Sequence, residues 1–92
     1  MSAPVVKEMA LTRAEFVRLL PGAAGDAAVR EEGGVFRVGD AVSIALDPLP
    51  PRRLGLFTIP VMRVTLRFHG GTDEDARAFV RRFDRAFQKG GG

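Results

Sequence analysis

The pattern of apolar and polar positions is sharpest at Met62–Phe68. Met62, Val64, Leu66 and Phe68 fall on one side, and Arg63, Thr65 and Arg67 on the other. A period of two marks a half-buried strand with one apolar face and one arginine-bearing face. The same period appears more weakly at residues 4–10, 27–32, 35–38 and 41–46, and each of these reads as a strand. Gly33-Gly34 and Gly39-Asp40 supply the turns between them. In residues 41–46, Val42, Ile44 and Leu46 share a face, while Ala41, Ser43 and Ala45 share the other.

Two segments change to helical spacing. In the first, Thr12 is placed to cap free amides and Glu15 to reach back to the Thr12 amide. Leu11 and Phe16 occupy the positions of a hydrophobic staple. Pro21-Gly22 predicts that this helix stops at about Leu20. In the second, Thr72 precedes three carboxylates, Asp73, Glu74 and Asp75, which suit the positive end of a helix dipole. Ala76, Phe79, Val80, Phe83 and Phe87 then recur at three and four, the stripe of a core-facing helix. Lys89 and Gly90 read as its end.

Asp47-Pro48-Leu49-Pro50-Pro51 reads as a stiff corner, because three prolines remove three backbone donors. Arg53–Ile59 reads as the next strand, apolar on both faces, and Pro60 as a bulge before the final strand. The element order is therefore β-α-β-β-β-β-α. It predicts an α+β fold: one twisted antiparallel sheet of four or five strands with both helices packed on one face. The segments around Phe16, Phe36, Phe57 with Phe68, and Phe79–Phe87 are expected to meet in one core. This order resembles that of the TATA-binding-protein-like folds. The resemblance is one of topology, without a shared motif, and implies no function. Residues 1–89 read as a single domain, and residues 90–92 as a flexible glycine tail.

Composition narrows the function classes. The chain has 92 residues, no cysteine, tryptophan or tyrosine, and a single histidine, His69. A disulfide framework, a thiolate metal site and a thiol nucleophile are excluded. No apolar run approaches the roughly 20 residues that span a bilayer, and the start of the chain lacks the pattern of a secretory signal. These observations predict a soluble, cytoplasmic protein without membrane contact. The net charge of +3 is uneven. Residues 1–46 hold five basic and six acidic side chains (−1), and residues 47–92 hold nine and five (+4).

Candidate binding residues follow from these faces. Arg63, Thr65 and Arg67, joined by Arg37 and Ser43, mark an open sheet face able to hold phosphates. That face offers no aromatic ring on which a base could stack. Arg82, Arg85 and Lys89 form a basic stripe on the second helix, with Arg77 and Arg81 beside it. Asp73–Arg77 and Arg81–Asp84 are the expected ion pairs. Leu49 and Arg52, in the Pro-rich corner, make a protein-contact knob. His69-Gly70-Gly71-Thr72 reads as a turn and cap, lacking the further glycines and lysine of a phosphate loop. Glu31-Glu32 and Asp73-Glu74-Asp75 read as solvated punctuation. A terminal Gly-Gly is shared with ubiquitin-like sulfur carriers, but here it follows a helix where those carriers use a strand. No catalytic, cofactor-binding or metal-ligating set emerges. The expectation is a non-enzymatic accessory protein that binds a protein partner or a second copy. It would use the open sheet face and the Pro-rich corner. The alternative is a nucleic-acid-binding module using Arg63, Arg67 and the basic face of the second helix.

Overall fold

The computed structural model describes residues 3–91, with side chains to Gln88. Strand β1 (Val5–Met9) leads into helix α1 (Arg13–Ala24). Strands β2 (Val29–Glu32), β3 (Val35–Val38), β4 (Val42–Leu54) and β5 (Phe57–Phe68) follow, and helix α2 (Asp73–Gly91) closes the chain. The five strands form one antiparallel sheet in the order β1-β5-β4-β3-β2. This is the expected α+β architecture. Helix α2 runs through Gly90, where the sequence reading ends it; Gly92 lies outside the described residues.

Local chemistry accounts for most boundaries. The Glu15 amide donates to Thr12 Oγ1 at 3.1 Å, and the Thr12 amide donates to Glu15 Oε1 at 2.9 Å, completing the capping box. That bond from the Thr12 amide is the main reason the Glu15 carboxyl lies below its ordinary value. Thr72 and Asp75 repeat the box on α2, at 3.1 and 3.0 Å. Gly33 and Gly34 both have positive φ, as a tight two-residue hairpin turn demands.

Helix α1 overruns its predicted end. Pro21 sits inside it, and Gly25, with φ 63°, is the cap; the Gly25 amide donates to the Pro21 carbonyl at 3.2 Å. Pro21 forfeits the bond to the Val17 carbonyl, and Val17 lies on the solvent side of the helix, where water can take that carbonyl. The extra turn buries Ala23 and Ala24. Gly22 marks a close approach of the helices, since a Cβ there would lie 3.4 Å from the Ala86 Cβ.

The core lies between the helices and one sheet face. Phe36, Phe16, Phe87, Phe83, Phe79 and Phe68 form a continuous chain of rings, with centroids 4.4–6.3 Å apart. Val64, Leu66 and Ile44 are fully buried beneath them. Phe57 is the exception: it is 74% exposed and outside the core.

The Pro-rich segment is the largest departure from expectation. It is no corner. Strand β4 passes straight through it and stays paired with β5 to Leu54. Strand β3 pairs only as far as Ala45, so from Leu46 onward β4 is an edge strand. The His69 amide donates to the Ala41 carbonyl at 2.7 Å, which turns the odd-numbered backbone groups of β4 toward β5. Pro48 therefore presents its missing donor to the open edge, where nothing is lost. Pro50 and Pro51 lie in a register shift between Leu49↔Val61 and Arg52↔Ile59, opposite Pro60. Arg53–Ile59 is likewise no continuous strand, since Gly55-Leu56 is the hairpin turn, with Gly55 at φ 61°. The segment from Pro50 to Pro60 is exposed throughout, apart from a half-buried Ile59. It forms an arm about 17 Å long at the strand rise, on a molecule measuring 45 × 24 × 21 Å.

Candidate functional site: the open sheet face and its arm

Alternation and register define the uncovered face. Directly paired residues share a face, so Arg63, Thr65, Arg67, Arg37 and Leu49 all lie on the side opposite the helices. One extra residue in β4 at the bulge reverses its alternation. Leu49 and Val61 therefore continue into Arg52, Ile59, Leu54 and Phe57 on that same face. Leu49 is half-buried and Arg52 exposed. The open face thus has two ends of different chemistry.

The arm is apolar. Leu54 is 60% exposed, Leu56 at the turn fully so, and Phe57 74%. Together these three present on the order of 400 Å² of hydrocarbon, the range in which a monomer's largest apolar patch is often functional. Arg52 and Arg53 flank them.

The other end is basic. Arg30, Arg37, Ser43 and Arg67 sit abreast on β2, β3, β4 and β5. Arg30 pairs with Glu32 at 3.3 Å. Arg63 stands in register between Glu8 on β1 and Asp47 on β4, so acidic residues flank it on both neighbouring strands, although among the described residues it forms no ion pair within 4.0 Å. Arg37 and Arg67 have no acidic residue opposite, and among the described residues they form no ion pair. The Nε of Arg37 is buried without a hydrogen-bond partner. Ser43 and Thr65 are buried between these stems. Ser43 Oγ lies 2.7 Å from His69 Nε2, so His69 reaches back to the sheet while Gly70 and Gly71 make the turn. Sequence reading missed the part played by Arg30. Its strand is short and exposed, and only the β2–β3 register shows that it stands beside Arg37.

Arg82 and Arg85 are elsewhere. They line a groove between α1 and α2 with Arg18, Leu19, Gly22 and Ala86, on the opposite side of the sheet from Arg63 and Arg67. Arg82 is engaged in packing: its Nε donates to the Ala23 carbonyl at 3.4 Å, and its guanidinium lies 5.5 Å from the Phe79 ring centroid. Asp84 does not take Arg81, the partner expected for it. Arg77 and Arg81 both reach Glu74, at 3.1 and 3.6 Å, and Asp84 pairs with Lys7 of β1 at 2.9 Å. The hydrogen bond from Arg77, with the charges of both arginines, holds the Glu74 carboxyl below its ordinary value. Glu31 is bonded to Arg13.

Among the described residues no group of acidic, histidine or cysteine side chains could hold a metal ion, and no helix is long and apolar enough to cross a membrane. Compared with known proteins, the chain matches no family model and no curated protein.

Proposed function

We propose that this chain is a small non-enzymatic accessory protein that docks through its arm and the adjoining open sheet face. Its occupant is a protein partner or a second copy of the chain. The observation that supports this reading is the exposure of Leu54, Leu56 and Phe57 on a projecting hairpin. Burying such a patch against a partner recovers hydrophobic free energy that the monomer leaves in water. The two arginines beside it add polar contacts of the kind found at interface rims.

The test combines two measurements. Amide spectra of labelled protein are recorded from micromolar to millimolar concentration, and a photo-crosslinking residue is placed at Leu56 in cells making the protein. Concentration-dependent shifts along the arm identify a second copy, and a discrete protein adduct at Leu56 identifies a partner. Both are expected to disappear in Phe57→Asp. Spectra that do not change with concentration, together with no adduct, would overturn the proposal.

A second reading, nucleic-acid binding, draws support from Arg37, Arg63 and Arg67 on one face. The arginines of α2 lie behind the sheet, so one strand on the open face would not meet them. This reading predicts affinity for single-stranded oligonucleotide that falls steeply with salt and weakens in Arg63→Ala/Arg67→Ala. Insensitivity to either change would refute it.

A further inference from the structure

The basic end of the open face lies roughly 35 Å along the hairpin from its tip, and its reading does not depend on what the arm docks to. Arg37, Ser43 and Arg67 occupy one cross-strand row. At the spacing of neighbouring strands, the two arginine Cα atoms are about 10 Å apart, a gap that two guanidinium groups can close around a tetrahedral anion. The surrounding charges select its valence. Arg30 is neutralised by Glu32, and Arg63 stands between Glu8 and Asp47. Two positive charges, on Arg37 and Arg67, remain uncompensated within the row. The buried Nε of Arg37 has a donor to give. Ser43 adds a hydroxyl held by His69 at 2.7 Å. When the imidazole donates to Oγ, the serine proton is free for an anion.

We infer that Arg37, Ser43 and Arg67 form a binding site for a phosphate dianion, either free phosphate or the terminal group of a small phosphate monoester. The planar forks of the two arginines meet its oxygens in pairs, and the hydroxyl of Ser43 meets a third. A phosphodiester, with one charge per phosphate, matches the row less well.

The test uses the full chain, isotope-labelled, at a pH where phosphate is dianionic. It is titrated separately with inorganic phosphate, a nucleoside 5′-monophosphate, an oligonucleotide lacking terminal phosphates, and sodium chloride at matched ionic strength. Saturable shifts are expected at the side-chain Nε–H signals of Arg37 and Arg67 and at the Ser43 and His69 amides. Arg37→Gln and Arg67→Gln should each weaken binding tenfold or more, while Arg18→Gln should leave it unchanged. Arg37→Lys, which keeps the charge and loses the fork, should weaken it several-fold. The tighter of inorganic phosphate and the monophosphate identifies the source of the group. The wild-type Nε–H shifts keep the test valid if a variant fails to fold. Shifts reproduced by chloride, unaltered binding in both glutamine variants, or tighter binding of the diester oligonucleotide would each overturn the assignment.

Discussion

Phe57→Asp separates an arm that stands free from one that packs against the body. Phe57 is 74% exposed, so folding covers only about a quarter of a side chain worth roughly 200 Å². At about 25 cal/mol/Å², that quarter contributes roughly 1.3 kcal/mol. This is an upper figure, because the unfolded chain already shields some of the ring. Loss of the cross-strand contact with Leu54 is included in that area. The new carboxylate shares its face with Arg52, its diagonal neighbour across the ribbon, which offsets part of the loss. Phe57→Asp should therefore cost no more than about 1.5 kcal/mol. At roughly 4–8 °C per kcal/mol for a domain of this size, the midpoint should fall by about 10 °C or less. Urea unfolding must be run at low protein concentration, because association would add its own stability to the wild type. Sedimentation velocity at high concentration then reports association separately. A loss of 3 kcal/mol or more in dilute solution would refute the reasoning. It would mean that the arm folds back and that its exposed apolar face is a piece of core.

Phe83→Ala provides the opposite case. The ring is fully buried and stacks on Phe87 at 4.4 Å, so urea unfolding should show a loss of about 3–5 kcal/mol. Thr12→Ala should cost about 1 kcal/mol in the same assay, by opening the capping box at α1. Because the Glu15 carboxyl is held below its ordinary value, its contribution is present at neutral pH and is lost as pH falls through the folded-state value. Glu15→Gln should therefore flatten the acid limb of stability against pH, and an unchanged limb would refute that origin. Gly22→Ala should raise stability by roughly 0.5–1 kcal/mol in the same assay, because its Cβ would meet only the Ala86 Cβ, at 3.4 Å, while the helix loses an interior glycine; a measurable loss would refute it.

Signals that act within a few residues were legible in the sequence. The Thr12–Glu15 box, the Gly33-Gly34 turn, the phenylalanine stripe of α2 and the alternation of β5 all appear where their residues predict them. What was not legible depended on distant neighbours. Three prolines exclude an interior strand, yet they fit an edge strand, and β4 becomes an edge only because β3 ends where it does. Pro21 reads as a stop, yet the helix continues because Ala23 and Ala24 find the core. The candidate site divides in the same way. Arg63, Thr65 and Arg67 could be placed on one face from β5 alone. Setting Arg52 with Leu49 required the bulge, and seeing that Arg63 has acidic cross-strand neighbours while Arg37 and Arg67 have none required the sheet order.

The prolines of the hairpin also bear on how this protein stays dispersed. Beyond Met9 on one side and Val35 on the other, the ribbon has no neighbouring strand among the described residues. A two-stranded apolar ribbon with both margins bare is the usual template for end-to-end strand addition and fibre growth. Pro48, Pro50 and Pro51 remove amide donors from one strand of it, and Pro60 from the other. The ribbon keeps its greasy tip while its backbone is a poor surface for templating. Exchanging Pro50 and Pro51 for valine would restore those donors and make the ribbon a better template for strand addition. At its four prolines the ribbon has no amide to offer an added strand, while Leu54, Leu56 and Phe57 stay exposed.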